Sequence, residues 1–259
     1  MLGDIVSSPG RSAVRDYLLS HGDQYDLIVA NGENSAGGTG ITFDIVEELL
    51  SYGVDVITGG NHIWKKRDFV EEWKSVPERY PILRPQNYPS PAPGRGHLLT
   101  EVERQKVLVL NLQGRTFMDS IDCPFTAADR VLSQVDYDLA LVDFHAEATS
   151  EKIAMGKYLA GQVTAFVGTH THVQTADERV FEQGTAYISD LGMTGPRDST
   201  LGVQDKRALE RFLTSRPVRF KVEKQGPRVV QGLAVRVDVT QRKADHAERI
   251  NEVLPERTH

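Results

Sequence analysis

At 259 residues, with 39% apolar and 25% charged residues, the chain is long enough for a sizeable core and has the composition of a globular protein, so one domain over 1–259 is expected. No apolar run approaches the roughly 18 to 20 residues of a membrane span, and Met1 to Pro9 carries neither the basic segment nor the apolar stretch of a secretory signal, so a cytoplasmic protein with no membrane partner is expected. A formal net charge of -6 without a basic block excludes an electrostatic footprint for duplex nucleic acid, and a single cysteine, Cys123, excludes an internal disulfide.

In chain order, Val14, Tyr17 and Leu18 share a helical face that Gly22 should stop, and Leu27 to Ala30 has the length and content of a strand. Thr42 is a good N-cap for a helix whose Ile45, Val46, Leu49 and Leu50 form the apolar stripe before Gly53. Val54 to Thr58 reads as a strand, Arg67 to Val76 as a helix, and the proline-rich stretch Arg84 to Gly96 as an irregular surface loop. Strands at Val107 to Leu112, Leu139 to Phe144, Thr164 to Val167 and Ala186 to Ser189 alternate with helices at Ala127 to Gln134 and Ser150 to Ala160, and a helix at Asp205 to Leu213 follows. That alternation is the signature of a layered α/β domain. Val218 to Val222 and Val229 to Val239 then alternate apolar and polar residues around Gln225-Gly226-Pro227, which predicts an antiparallel hairpin, while 240–259, charged and weakly periodic, predicts a short helix or a frayed tail.

Polar clusters follow these strands directly. Asp4 follows Met1 to Gly3, Glu33 and Asn34 follow the Leu27 strand through Gly32, and Asn61 and His62 follow the Val54 strand through Gly59 and Gly60. His145 and Glu147 follow the Leu139 strand, and His170 and His172 follow the Thr164 strand through Gly168. In sheets of mostly parallel strands the carboxyl ends share one edge, where ligand sites form. A chain leaving a strand in extended form sends alternate side chains the same way, so His170 and His172 are expected to converge on one ion.

Leaving His62 aside, the donors are two carboxylates (Asp4, Glu33), two amides (Asn34, Asn61) and three imidazoles (His145, His170, His172). That is too many for one tetrahedral zinc site and fits two cations sharing a bridge, for which Glu33 is the expected carboxylate. Mixed nitrogen and oxygen donors favour transition ions, divalent or trivalent, with iron or manganese expected first and zinc as the alternative, over calcium or magnesium.

Gly3-Asp4, Gly32-Glu33-Asn34, Gly59-Gly60-Asn61-His62, Asp143-Phe144-His145-Ala146-Glu147 and Gly168 to His172 together resemble the successive motifs of the calcineurin-like metallophosphoesterases. With Asn111 to Thr116, Phe144 to Lys152, His170 to Ala176 and Asp190 to Gly195, the chain resembles more narrowly the bacterial YmdB-like phosphodiesterases, nearly to Val239. The resemblance implies a four-layer αββα sandwich of two mixed sheets flanked by helices, a dinuclear metal site, and phosphodiester hydrolysis with cyclic nucleotides (2',3'- or 3',5'-cyclic) as the favoured substrates. Val6 stands where the wider superfamily has a histidine, and Glu33 where it has a bridging aspartate; the narrower resemblance implies that Asn34 supplies the missing donor. The YmdB-like first strand carries several apolar residues before Gly-Asp. This chain has only Met1 and Leu2 there, so either its start lies upstream or the strand is short.

Beside Asn61, His62 is placed to act as general acid, giving a proton to a departing alkoxide. Glu147 either orients a ligand histidine or simply begins the following helix. Arg115 and the run Met193 to Thr200, read as a substrate-facing loop with Thr194 and Gly195 at its centre, are the expected substrate contacts, against a reading as surface or connecting residues. Trp64 and Trp73 read as packing groups, Cys123 as a small apolar side chain before Pro124, and His21, His97, His246 and His259 as surface residues. A phosphomonoesterase is the alternative within the enzyme class; a nucleotide- or protein-binding regulator with incidental hydrolysis is the alternative outside it. A homo-oligomer is left open.

Overall fold

The computed structural model describes residues 1–75 and 79–256, so the expected helix end at Val76 and the reading of His259 fall outside the described residues. Two sheets lie face to face. In the first, β1 (Asp4–Ile5) runs parallel to β10 (Met193–Pro196), which pairs antiparallel with β11 (Arg228–Asp238), itself antiparallel to β12 (Lys243–Leu254). A parallel pair, β2 (Val29–Asn31) and β3 (Val56–Thr58), joins this sheet through Leu2, which bridges both Ala30 and Gly232. The second sheet has the order β4 (His97–Val102), β5 (Gln105–Gln113), β6 (Leu139–His145), β7 (Ala165–Thr169), β9 (Ala186–Ile188) and β8 (Arg179–Val180). Its four inner strands are parallel and both edges antiparallel.

Between the sheets pack Val29, Val56, Leu83 and Val109, and further along Val167, Ile188, Leu191 and Leu233. Helices α1 (Ser7–His21), α2 (Phe43–Ser51) and α3 (Arg67–Ser75) cover the first sheet, laying Val14, Val46, Leu49, Phe69 and Trp73 on Ala30, Ile57 and Val230. Helices α4 (Pro124–Gln134) and α5 (Thr149–Leu159) cover the second, laying Ala128, Val131, Met155 and Leu159 on Leu110, Val142, Phe144 and Phe166. The expected αββα sandwich is therefore the one observed. Its inner strands are covered on both faces, which is why they read as continuous apolar runs rather than alternating ones. Local signals also act as read: the Thr42 hydroxyl accepts the Ile45 N–H at 3.4 Å, Pro124 opens α4, and α6 (Asp205–Thr214) forms where expected. No helix among the described residues is long and apolar enough to cross a membrane.

Three expectations are corrected. The hairpin is β11 with β12, so 240–259 carries a twelve-residue strand, whereas 218–222 contributes only an isolated bridge between Val222 and Val203. A bulge explains the misreading: the register shifts between Arg236 and Val237, where Arg236 faces His246 but Val237 faces Ala244. The extra residue lets Ala244 and Ala247 both face the inter-sheet core despite their odd spacing, while Ile250 and Leu254 pack on the helix side. No period of two survives across such a strand. Second, Met193 to Pro196 is a buried strand between β1 and β11 and not a loop. Third, the Arg84 to Gly96 stretch is irregular, yet Arg84 and Asn87 are buried in it, and Asn87 donates to the carbonyls of Gln113 and Asp122 at 2.8 and 2.9 Å.

Candidate metal centre

All seven expected donors meet at one end of the sandwich, beyond the carboxyl ends of β2, β3, β6 and β7. The structure groups Glu33, His145 and His170 within metal-binding distance of one another. His145, fully buried at the end of β6, is the centre: its Nε2 lies 3.0 Å from Glu33 Oε1, 3.1 Å from Asn61 Oδ1 and 3.0 Å from His170 Nδ1. Asn34 Nδ2 reaches His172 Nε2 at 3.1 Å, Glu33 Oε1 at 3.4 Å and Asp4 Oδ1 at 3.5 Å, closing the second half of the cluster. Asp4 Oδ2 accepts the His170 backbone N–H at 3.0 Å, and His172 Nε2 stands 3.8 Å from Asp4 Oδ1.

Extended geometry is not what aims His170 and His172 at the centre, and the two rings meet different partners there, His170 the His145 ring and His172 the Asn34 amide. Strand β7 ends at Thr169, and both histidines adopt left-handed backbone, with φ of 104° and 63°. Such conformations are uncommon for residues with a Cβ and persist only where surrounding contacts over-determine them.

The far nitrogen of each imidazole is engaged. His145 Nδ1 lies 2.9 Å from Thr169 Oγ1, whose own proton goes to Asp143 Oδ1 at 2.7 Å, so the imidazole must be the donor there. His170 Nε2 lies 3.0 Å from Glu147 Oε2, and His172 Nδ1 lies 3.2 Å from the Leu201 carbonyl. With those nitrogens donating, the other nitrogens of His145 and His170 face one another as lone pairs 3.0 Å apart beside Glu33, and that of His172 faces the Asn34 amide, 3.8 Å from Asp4 Oδ1. Lone pairs and carboxylates aimed at one another repel unless a cation or a proton lies between them. This donor set fits a metal ion, and the far-side partners fix ligand rings as partners of metal-bound histidines do.

The electrostatics run the same way. Burial opposes charge on His145, but Glu33, Asp4 and Asp143 outweigh it and raise the imidazole to about 9. Burial would raise Glu33, yet His145 and His62 hold it at about 2. Beneath His145, burial pushes Asp143 up to about 6 against hydrogen bonds from Thr58 and Thr169. Asn31 completes this support, donating to Asp143 Oδ2 at 3.1 Å and accepting the Glu33 backbone N–H at 3.2 Å. No role was expected of Asn31, Thr58 or Thr169, nor of Asp143, although it stands in the His145 motif two residues before that histidine, on the same face of β6.

His62 sits at the rim, its side chain 29% exposed. Its backbone N–H donates to Glu33 Oε2 at 2.9 Å, and its Nδ1 lies 2.8 Å from Asn34 Oδ1. Burial, His145 and Lys65 lower its pKa against the opposing pull of Glu33. Glu147 touches His170, which favours its orienting role. Arg115 stands apart: its backbone N–H is held by Glu151 and its guanidinium lies 3.5 Å from Cys123 Sγ, and none of these contacts reaches the cluster. Thr194 and Gly195 are buried in β10, where the Thr194 hydroxyl turns to the Gln231 carbonyl at 3.4 Å.

Gly60 shows how tightly the centre is built. A Cβ there would lie 2.2 Å from His145 Cδ2 and 2.4 Å from Glu33 Oε2. Gly60→Ala is therefore expected to destabilise the fold by roughly 1–3 kcal/mol, as overpacking does, and a denaturant midpoint equal to wild type would show that the centre yields instead.

The model for the family described as YmdB-like protein matches residues 1–250. Over 253 residues the chain is 43% identical to the 2',3'-cyclic-nucleotide 2'-phosphodiesterase of Bacillus subtilis, covering 96% of this chain and 94% of that one. A crystal structure of a hypothetical protein from Thermus thermophilus superposes with a TM-score of 0.91 at 38% identity, covering 98% of both chains. A putative 5'-nucleotidase from Staphylococcus aureus, with a TM-score of 0.56 at 17% identity over 94% of this chain and 48% of its own, is alike in fold alone. Matched in sequence and in fold over nearly its whole length, the chain belongs to the YmdB-like family.

Proposed function

We propose that the protein is a metal-dependent phosphodiesterase acting on cyclic nucleotides, 2',3'-cyclic first among them. The observation that carries this reading is the set of three imidazoles, each tied at its far nitrogen, whose near nitrogens gather with the buried carboxylates Asp4 and Glu33 at one point, the His145 and His170 lone pairs 3.0 Å apart. The activity in the name of the 43% identical relative supports the substrate class. Asp4, Glu33, Asn34, Asn61, His145, His170 and His172 would hold two transition-metal ions, iron or manganese before zinc. When bound, such ions supply positive charge to phosphate oxygens and lower the pKa of water toward neutrality.

The chain's own residues do the rest. Glu147, Thr169 and the Leu201 carbonyl hold the ligand rings in one tautomer. Doubly protonated, His62 would keep Nδ1–H on Asn34 Oδ1 and offer Nε2–H to the leaving oxygen; that same Oδ1 is the Asn34 atom that would ligate a metal, since its Nδ2 is a donor. A net charge of -6 without a basic block suits a small phosphodiester whose charge is met locally.

The test is turnover by metal-loaded protein on 2',3'-cyclic and 3',5'-cyclic nucleotides, bis-p-nitrophenyl phosphate and p-nitrophenyl phosphate. Diesters are expected to turn over faster than the monoester. A clear preference for the monoester would make the protein a phosphatase instead, and no turnover of any of the four would favour a binding role.

Proton and metal compete for His145, which sets a pH dependence. A folded-state value of about 9, above the ordinary 6.5, means that the protonated pairing of His145 with Glu33 contributes stability fully below pH 6.5 and loses it as pH rises through 9. Glu33, held at about 2 against an ordinary 4.5, contributes above pH 4.5 and loses its share as pH falls through 2. Metal binding needs His145 neutral, so the rise in Tm on adding Mn2+ is expected to widen between pH 6.5 and 9. A gap that stays constant across that range in paired thermal melts would contradict the competition.

A further inference from the structure

We infer that Lys152 and Asp190 form a buried charged strut that holds the His170–His172 turn in its left-handed shape, which makes them positioning residues for metal binding. The inference rests on the metal reading above.

Lys152 lies on α5, among residues that cover the second sheet, and only 1% of its side chain is exposed. Lysine is almost never fully buried without a partner. Its stem passes directly beside the strand that delivers the histidines: a Cβ on Gly168 would lie 2.9 Å from Lys152 Cδ and 1.9 Å from the Ser189 carbonyl oxygen. The glycine that begins the Gly168 to His172 motif is thus what lets the lysine through. At the end of this passage Nζ meets Asp190 Oδ2 at 2.5 Å, and that carboxylate is also buried.

What Asp190 does with its remaining capacity gives the strut its purpose. Oδ2 also accepts the Thr171 backbone N–H at 3.2 Å and the Thr171 hydroxyl at 2.7 Å, gripping the residue between the two left-handed histidines. Oδ1 accepts the Gly192 N–H at 2.8 Å, and the Gly192 carbonyl in turn accepts the Asp4 N–H at 3.1 Å. One carboxylate therefore ties the His170–His172 turn to the segment carrying Asp4, and His170 N–H closes the circuit on Asp4 Oδ2 at 3.0 Å. Three of the seven proposed ligands are indexed to Asp190.

Stability alone is a poor reason for such a pair. Removing two charges from water costs about as much as their attraction returns, and neutral replacements of both partners are often no less stable. Two residues of left-handed backbone that bear imidazoles, one on each side of Thr171, by contrast, need an anchor that cannot drift. An acceptor backed by a buried ammonium is such an anchor, because leaving it would strand a charge in the core.

The experiment titrates Mn2+ into full-length wild type, Thr171→Val, and the neutral pair Lys152→Met with Asp190→Asn, and records thermal melts of each without metal. Thr171→Val removes one hydroxyl and leaves the ion pair in place. Both variants are expected to bind Mn2+ roughly 10-fold or more weakly, the loss typical when a partner of a metal ligand is removed, while Thr171→Val melts within a few degrees of wild type. If the paired variant does not fold, Thr171→Val decides alone. Variants that bind Mn2+ as tightly as wild type, whatever their melting temperature, would reduce Lys152 and Asp190 to ordinary core residues. Wild type that takes up no Mn2+ would instead overturn the metal reading, and the strut's role with it.

Discussion

Replacing Glu33 by alanine is expected to remove both metal ions together and to lower phosphodiester turnover by roughly 10³-fold or more, since the several kcal/mol of charge stabilisation supplied by bound ions is lost at once. Glu33 is fully buried, and its two oxygens face different parts of the centre: Oε1 faces His145 and Asn34, and Oε2 accepts the His62 backbone N–H. Without it, Asp4 would be the one carboxylate left among the seven proposed donors. Elemental analysis of the loaded variant reads the outcome directly. Two ions retained would place the carboxylate outside the metal shell, and one ion retained would make it a terminal ligand rather than a bridge.

His62→Ala should behave in the opposite way with respect to metal. The ring touches the centre through Asn34, with Nδ1 2.8 Å from Oδ1 and 3.5 Å from Glu33 Oε1, so both ions are expected to stay while turnover of a cyclic nucleotide falls by roughly 10²- to 10⁴-fold, the usual worth of a positioned proton donor. The defect should depend on the leaving group. A nitrophenolate is a weak base and leaves without much help, whereas a ribose alkoxide needs the proton. A smaller defect on bis-p-nitrophenyl phosphate than on the cyclic nucleotide is the expected pattern. Equal defects with metals in place would assign His62 to holding phosphate, and loss of an ion would move it into the metal shell.

Much of the fold and of the donor set is legible in the amino-acid sequence. Six strands are readable because inner parallel strands, covered on both faces, become short unbroken apolar runs. The donors are readable because each follows such a run directly, so the strands themselves carry Glu33, Asn61, His145 and His170 to one end of the sandwich. Strand β12 is hidden by its bulge, which breaks the period of two that would have revealed it. Strand β10 is hidden because Met193-Thr-Gly-Pro has neither the length nor the β-branched content of a strand; its pairing with β1 and β11 makes it one.

The amino-acid sequence by itself determined the layered α/β class, the order in which the strands arrive, and the chemical identity of the donors that gather at their ends. Those features depend on local periodicity and on residue type, which are complete within a few positions of the chain. Only the tertiary structure decided how the donors are held. The left-handed turn at His170 and His172, the Thr169 hydroxyl between His145 and Asp143, and the passage of Lys152 past Gly168 to Asp190 all join segments remote in sequence. Such contacts leave no local pattern, because each partner's neighbours are chosen by the strand or helix it sits on and not by the group it meets across the core.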